Sequence, residues 1–370
     1  MSVLKNVPEI SDVRVVTDII SAMGAKIFRD GDSLVVDTRR LEYKAPASEL
    51  TSKIRASSYL LGSCLSRFGE VDITASGGCN FDQRPIDMHI SAAKALGACI
   101  SGNKLLAPTL HGNNISFDKP SVGATVNALL MAVGAEGETV IEGAAKEPHV
   151  FAVIDFLKAA GADIKFNGRS IEIKGRELHG ADVEIIPDMI EAGTYLLLAP
   201  LTGGTVAVTG EVGKYLDSFF GVLRSAGVMV NSNELRTEVK GSVNDYIEVT
   251  TQPYPGYPTD LQPQLCPLMA KYFGGSIRET VWRGRFGYLT SLEKFGIKYK
   301  RADSLALIIP SDTHPGVAEA PDLRGGAACI LAALMTEGKS EIFMPEIIKR
   351  GYGSLCEKLS SLGADIKITD

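Results

Sequence analysis

A five-residue phrase, hydrophobic-Gly-Ala-x-Ile, recurs along the chain and limits what it can fold into. It reads Met23-Gly24-Ala25-Lys26-Ile27, Leu96-Gly97-Ala98-Cys99-Ile100 and Ala160-Gly161-Ala162-Asp163-Ile164. Looser copies are Ala226-Gly227-Val228-Met229-Val230 and Phe295-Gly296-Ile297-Lys298-Tyr299, and the last is Leu362-Gly363-Ala364-Asp365-Ile366. Successive glycines lie 73, 64, 66, 69 and 67 residues apart. That period is too long for the common solenoids and suits a small α/β unit copied six times. Around the third copy, Val150, Val153, Ile154 and Leu157 fall on one helical face, and Gly161 stands where a left-handed C-cap belongs. Two alternating runs follow, Ala162–Phe166 and Ser170–Lys174, split by Asn167-Gly168, a strong hairpin signal. Ser33–Thr38 and Ser304–Pro310 match as final strands of the first and fifth copies. Each unit should therefore end helix, strand, turn, strand, and six units group as three plus three.

A natural division lies near Pro187, where Asp188 is placed to cap a following helix. The expected domains are residues 1–186 and 187–370, each an α/β domain, with a small-ligand site in the cleft between them. With 370 residues the chain can bury two sizeable cores. A net charge of −6 argues against general nucleic-acid binding. The six cysteines show no Cys-x-x-Cys pair and no histidine at ligand spacing, so no zinc site or disulfide framework is expected, and a reducing cytoplasm fits. The N-terminus lacks the apolar run of a signal peptide, and Cys329–Met335 is too short to span a membrane. These features read as a soluble protein.

The stretch Ser76-Gly77-Gly78-Cys79-Asn80-Phe81-Asp82-Gln83-Arg84-Pro85-Ile86-Asp87 puts a thiol on a glycine-rich segment with a guanidinium five residues on. A nearby cation lowers a thiol's pKa, and arginine grips anions in a bidentate fashion. The plain alternative is a surface turn with an incidental cysteine. Lys119-Pro120-Ser121-Val122-Gly123-Ala124-Thr125 precedes the helical run Val126–Val133. It reads either as an anion site at a helix start or as an ordinary N-cap by Ser121. Tyr257-Pro258-Thr259-Asp260-Leu261-Gln262 sets an acid before an apolar helix, again as an N-cap or as a general base. Arg55, Arg285, Arg324 and Arg350 each have small or glycine neighbours. Singly they are surface residues; together they suggest a convergent site for phosphate or carboxylate.

These motifs, with Ala145-Lys146-Glu147-Pro148, Glu191-Ala192-Gly193-Thr194, Glu279-Thr280-Val281, Asp322-Leu323-Arg324 and Arg350-Gly351-Tyr352, occur in one family's order along the whole chain. The sequence resembles the UDP-N-acetylglucosamine enolpyruvyl transferases (1-carboxyvinyltransferases) of bacterial peptidoglycan synthesis. The resemblance implies two inverted α/β domains, an inside-out α/β barrel of six repeated units with three per domain. It implies transfer of the enolpyruvyl group of phosphoenolpyruvate to the 3-hydroxyl of UDP-N-acetylglucosamine with release of phosphate, without cofactor or metal. Cys79 would be the loop cysteine, acting as general acid or forming an adduct, and the target of fosfomycin in this family. Asp260 would take the hydroxyl proton. Arg84, Arg324 and Arg350 would hold phosphoenolpyruvate, with Arg350 counted among the catalytic residues. Arg55, Arg84, Pro85, Ile86, Asp87, Met88, Lys119, Ser121, Val122, Gly123, the Val281 backbone and Arg285 would complete substrate binding.

The family opens with a strand and a Lys-Asn-Ala-Ala-Leu-Pro type motif that contacts both substrates, and this sequence starts after it. Lys5-Asn6 continues into Val7-Pro8-Glu9-Ile10 and matches a later segment, while Met1–Leu4 reads as a strand under way. Two expectations follow. The sequence is a piece or a late start of an active transferase, or it is a degenerate paralogue that binds UDP-sugar without catalysis. Without that lysine the resemblance implies little activity. Trp282-Arg283-Gly284 adds bulk and charge beside the expected uridine contact. The sibling enzyme of aromatic biosynthesis shares the fold but lacks the cysteine loop. An RNA-end cyclase would need a catalytic histidine and a basic face.

Overall fold

The computed structural model describes residues 1–73, 86–168 and 170–369. Residues 1–73 with 86–186 form one compact unit, and residues 187–369 another.

All six phrase glycines adopt left-handed φ, between +81° and +103°, where a side chain would be strained. They close the helices Ser11–Ala22, Asp87–Ala95, Pro148–Ala159, Asp217–Ser225 and Leu355–Ser361 and the short turn Glu293–Phe295. In the third copy Val150, Ile154 and Leu157 are the buried face, as the periodicity predicts. Antiparallel hairpins follow five of the six glycines. They are Lys26–Asp30 with Ser33–Asp37, Cys99–Ser101 with Lys104–Leu106, Asp163–Phe166 with Ser170–Lys174, Met229–Ser232 with Arg236–Lys240, and Lys298–Ala302 with Leu305–Ile309. The sixth copy departs from expectation: residues 364–369 form no strand.

One sheet plan recurs three times. In the first unit Ser2–Lys5 lies between Asp182–Glu184, parallel to it, and Ser33–Asp37, antiparallel to it, with Lys26–Asp30 outermost. Asn114–Ser116, Glu138–Glu142, Ser170–Lys174 and Asp163–Phe166 repeat that order and sense. So do Ile247–Thr250, Gly275–Arg278, Leu305–Ile309 and Lys298–Ala302 in the second unit. The strand expected at Met1–Leu4 is thus present as Ser2–Lys5.

Helices, rather than sheets, are the most buried elements. Val122–Ala132 buries Ala124 through Leu129 together with Met131 and Ala132; it starts four residues before the predicted run. Gln262–Lys271 buries every residue from Gln262 to Ala270, and Leu323–Leu334 buries Gly325 through Ala332. A helix apolar all round has no solvent face, so it belongs at the centre of its unit. The sheets lie outside them with alternating burial, as in Ile247–Thr250, where Ile247 and Val249 are inward. Each core leucine so removed from water contributes about 1.5–3 kcal/mol. Glycine permits the closest helix contact: a Cβ on Gly62 would stand 2.7 Å from the Asn127 carbonyl oxygen.

This architecture leaves helix starts and the connections after strands to carry polar groups. Asp188 caps Met189–Leu196 through the amides of Ile190 (2.7 Å) and Glu191 (3.1 Å), as read from the sequence. Asp322 caps Leu323–Leu334 through Arg324 and Gly325, both at 2.9 Å.

Candidate active site

Asp260 decides between its two readings. The helix Gln262–Lys271 has Leu261 as N-cap and no side-chain cap bond, so Asp260 is not a capping residue. Its carboxylate instead accepts from Arg285 Nη1 at 2.5 Å on Oδ1 and from Arg324 Nε at 3.1 Å on Oδ2. Burial by itself would raise its pKa, but the Arg285 and Arg324 guanidiniums beside it hold the carboxyl well below the usual carboxylate range. The Asp260 side chain keeps 37% of its surface, while those of Arg285 and Arg324 keep 4% and 13%. The partly open carboxylate is therefore presented by two nearly enclosed cations.

Each cation is fixed from behind. Gln262, the first residue of the buried helix, donates through Nε2 to the Arg285 carbonyl at 3.2 Å and accepts the Tyr288 hydroxyl at 2.6 Å. Arg285 Nη1 also donates to Thr259 Oγ1 at 3.1 Å. Arg324 Nη1 donates to the Tyr352 hydroxyl at 3.3 Å, and that hydroxyl also meets Thr194 Oγ1 (3.0 Å) and Gln264 Nε2 (3.3 Å). Burial works against the Arg324 charge, yet Tyr352 and Asp260 raise its pKa further. Arg350 is half-buried and one residue from Gly351, where a Cβ would stand 3.7 Å from Arg324 Nη1. The chain thus brings Asp260, Arg285 and Arg324 into contact, with Arg350 next to the Gly351 backbone that approaches them.

The Val281 backbone is held in the same unit. Its amide and that of Trp282 donate to Glu279 Oε1 at 2.8 and 2.9 Å. Arg283 is exposed and Trp282 half-buried.

A second group lies in the first unit. Arg55 opens the 3-10 turn Arg55–Tyr59, Asp87 opens the helix Asp87–Ala95, and Ile86 precedes it. Ser121 does cap Val122–Ala132, accepting from the Ala124 amide at 3.4 Å, so the N-cap reading holds there. Lys119 is exposed, and Ile86, Met88, Val122 and Gly123 are exposed or half-buried. His89 ties these together. It is 4% exposed, and a Cβ on Gly123 would stand 3.1 Å from its Nε2. The Gly62 amide donates to Asn127 Oδ1 at 2.6 Å, which turns Asn127 Nδ2 toward His89 Nδ1 at 2.8 Å. An amide nitrogen only donates, so Nδ1 is the acceptor and the proton sits on Nε2, facing Gly123. Burial first, and then the Arg55 charge, push the His89 pKa down to about 4, against a smaller opposing effect of Asp87. Burial likewise lowers the pKa of Arg55.

Cys79, Arg84 and Pro85 lie outside the described residues. Sequence reasoning gave no role to Glu279, Gln262, Gln264, Tyr352 or His89. The available signal was polarity out of place: two glutamines inside Leu261–Met269, while Glu279, directly after the strand Gly275–Arg278, carries no such signal. No helix among the described residues is long and apolar enough to cross a membrane, and they hold no cluster of three or more potential metal-ligating side chains.

A family profile described as EPSP synthase (3-phosphoshikimate 1-carboxyvinyltransferase) matches residues 1–359. UDP-N-acetylglucosamine 1-carboxyvinyltransferase 3 of Caldanaerobacter subterraneus subsp. tengcongensis is 42% identical, over 99% of this chain and 90% of its own length. The UDP-N-acetylglucosamine 1-carboxyvinyltransferase of Halothermothrix orenii is 40% identical over the same shares. UDP-N-acetylglucosamine 1-carboxyvinyltransferase 2 of Staphylococcus aureus is 38% identical over 98% of this chain and 89% of its own. The crystal structure of the enolpyruvyl transferase NikO from Streptomyces tendae superposes with a TM-score of 0.88 at 29% identity, covering 99% of this chain and 90% of that one. EPSP synthase from Acinetobacter baumannii, at 18% identity and a TM-score of 0.73 over 100% and 91% of the two chains, shares the fold. The chain therefore belongs to the EPSP synthase family, within its branch of UDP-N-acetylglucosamine 1-carboxyvinyltransferases, and is an enolpyruvyl-transferring enzyme.

Proposed function

We propose that this chain transfers the enolpyruvyl group of phosphoenolpyruvate to the 3-hydroxyl of UDP-N-acetylglucosamine and releases phosphate, the committing step of peptidoglycan synthesis. The observation that carries the reading is Asp260, a partly open carboxylate fixed between two enclosed arginines rather than spent on a helix cap. Phosphoenolpyruvate carries phosphate and carboxylate together, and fixed guanidiniums suit both. Arg324 and Arg350 hold it. A proton added to its methylene carbon, with Cys79 as the donor, makes the adjacent carbon electrophilic. The sugar oxygen then bonds to that carbon and its proton passes to Asp260. Loss of the methyl proton and cleavage of the carbon–oxygen bond to phosphate complete the transfer.

A carboxylate held by two guanidiniums is a weak base. Phosphoenolpyruvate draws Arg324 onto its own anionic groups, so the basicity of Asp260 rises when that substrate is present. In the first unit, the amides of Val122 and Gly123 at a helix start suit the diphosphate, together with Lys119 and Arg55. Arg84, Pro85, Ile86, Asp87 and Met88 are further sugar-nucleotide contacts of the first unit; in the second unit the Val281 backbone is another, and Arg285 braces Asp260. Both substrates belong to the cytoplasm. The test is mass spectrometry of UDP-N-acetylglucosamine after incubation with phosphoenolpyruvate and this chain. The reading predicts an enolpyruvyl ether formed in step with phosphate; an unchanged sugar nucleotide contradicts it.

A further inference from the structure

Glu279 is fully buried and accepts four hydrogen bonds, which its two oxygens divide unequally. Oε1 takes the Thr251 hydroxyl at 2.7 Å and the amides of Val281 and Trp282 at 2.8 and 2.9 Å. Oε2 takes the Thr259 hydroxyl at 2.8 Å. Thr259 Oγ1 has one hydrogen, and giving it to Glu279 leaves its lone pairs for Arg285 Nη1 at 3.1 Å. That same nitrogen donates to Asp260 Oδ1. The donor direction is therefore set along the whole chain of groups, with Arg285 giving to both Thr259 and Asp260 and Thr259 giving to Glu279. Thr251 is fixed in the same way, since its hydroxyl accepts the Thr280 amide at 3.0 Å while donating to Glu279.

We infer that Glu279 is a positioning residue that ties two substrate-handling parts together: through Oε1 the Val281 segment, and through Oε2 and Thr259 the Arg285–Asp260 pair. This rests on the reading of Asp260 and Val281 given above. The carboxylate is the group required, because only an acceptor at both ends meets four donors at once. A glutamine of the same size presents an NH₂ to one side, facing a donor. The two oxygens therefore have separable consequences. Losing the Oε2 contact loosens Asp260 and slows turnover. Losing the Oε1 contacts loosens the Val281 segment and weakens sugar-nucleotide binding.

The test is steady-state kinetics of phosphate release, varying UDP-N-acetylglucosamine, on the full chain and three variants. Thr259→Val removes the hydroxyl at nearly constant volume and leaves Oε1 untouched. Its kcat is expected to fall about tenfold to a hundredfold, as a small misplacement of a reacting group does, with the sugar-nucleotide KM within about twofold of wild type. Thr259→Ser restores the hydroxyl and recovers most of the loss. Glu279→Gln lowers kcat and raises the sugar-nucleotide KM together. Should Glu279→Gln fail to fold, the Thr259 pair decides the question. A Thr259→Val enzyme with wild-type kcat overturns the inference, as does a kcat loss that Thr259→Ser does not recover. A wild-type chain that releases no phosphate overturns the reading of the reaction, and the role of Glu279 with it.

Discussion

Arg324 reaches Asp260 across sixty-four residues of sequence, with Nε and Nη2 each 3.1 Å from Oδ2. The pair joins the start of one buried helix, Leu323–Leu334, to a residue two positions ahead of another, Gln262–Lys271. Its geometry explains why the acid is not a cap: the carboxylate is already engaged by side chains, so the helix begins at Gln262 without it.

Replacing Asp260 by asparagine removes the charge that two enclosed guanidiniums face. Turnover is expected to fall by about 10²–10⁴, the usual contribution of a positioned base. Stability is expected to fall by less than the roughly 3–5 kcal/mol of a fully buried pair, because the Asp260 side chain is 37% exposed. Rate measurements and urea unfolding of Asp260→Asn check the two effects separately. Turnover close to wild type removes Asp260 from the mechanism.

The Tyr352 hydroxyl serves Arg324, Thr194 and Gln264 at once. Tyr352→Phe keeps the ring beneath Arg324 and leaves these polar groups without a shared partner. The expected cost is about 1–3 kcal/mol, accompanied by a higher KM for phosphoenolpyruvate and little change in that for the sugar nucleotide. Equal changes in both KM values would mean that the hydroxyl acts on the unit as a whole.

His89 gives the first unit a defined response to acid. Its pKa is pushed down to about 4 in the fold, against about 6.5 in the unfolded chain. The unfolded state therefore binds the proton first. Stability is full above pH 6.5 and falls as the pH drops from 6.5 towards 4, by about 3 kcal/mol from this group. Protonation also replaces the acceptor at Nδ1 with a second donor opposite Asn127. Melting temperatures of wild type and His89→Gln between pH 4 and 7 check this. The difference between the two curves should narrow as the pH falls, and a constant difference would contradict it.

Much of the fold was legible because the signals were local and repeated. A glycine at positive φ closes five of the repeated helices and the short turn Glu293–Phe295, and the Asn167-Gly168 turn and the alternation beside it describe a hairpin that is formed as read. The sixth copy misled because the phrase marks a helix end and does not itself supply the strands that follow. At the site, the types of residue were legible and their partners were not. Asp260 and Ser121 looked alike in sequence, each ahead of an apolar helix; one meets arginines 25 and 64 residues away, and the other caps its helix. Pairings at that distance are fixed by how the buried helices pack, and no spacing rule encodes them. Glu279 went unassigned because its partners come from three separate segments, at Thr251, Thr259 and Val281–Trp282.

The most direct test is phosphate release from phosphoenolpyruvate by this chain, with and without UDP-N-acetylglucosamine, beside Cys79→Ala. Release is expected to require the sugar nucleotide, to match the enolpyruvyl product mole for mole, and to be lost in the variant. A folded chain that binds UDP-N-acetylglucosamine yet releases no phosphate would contradict it.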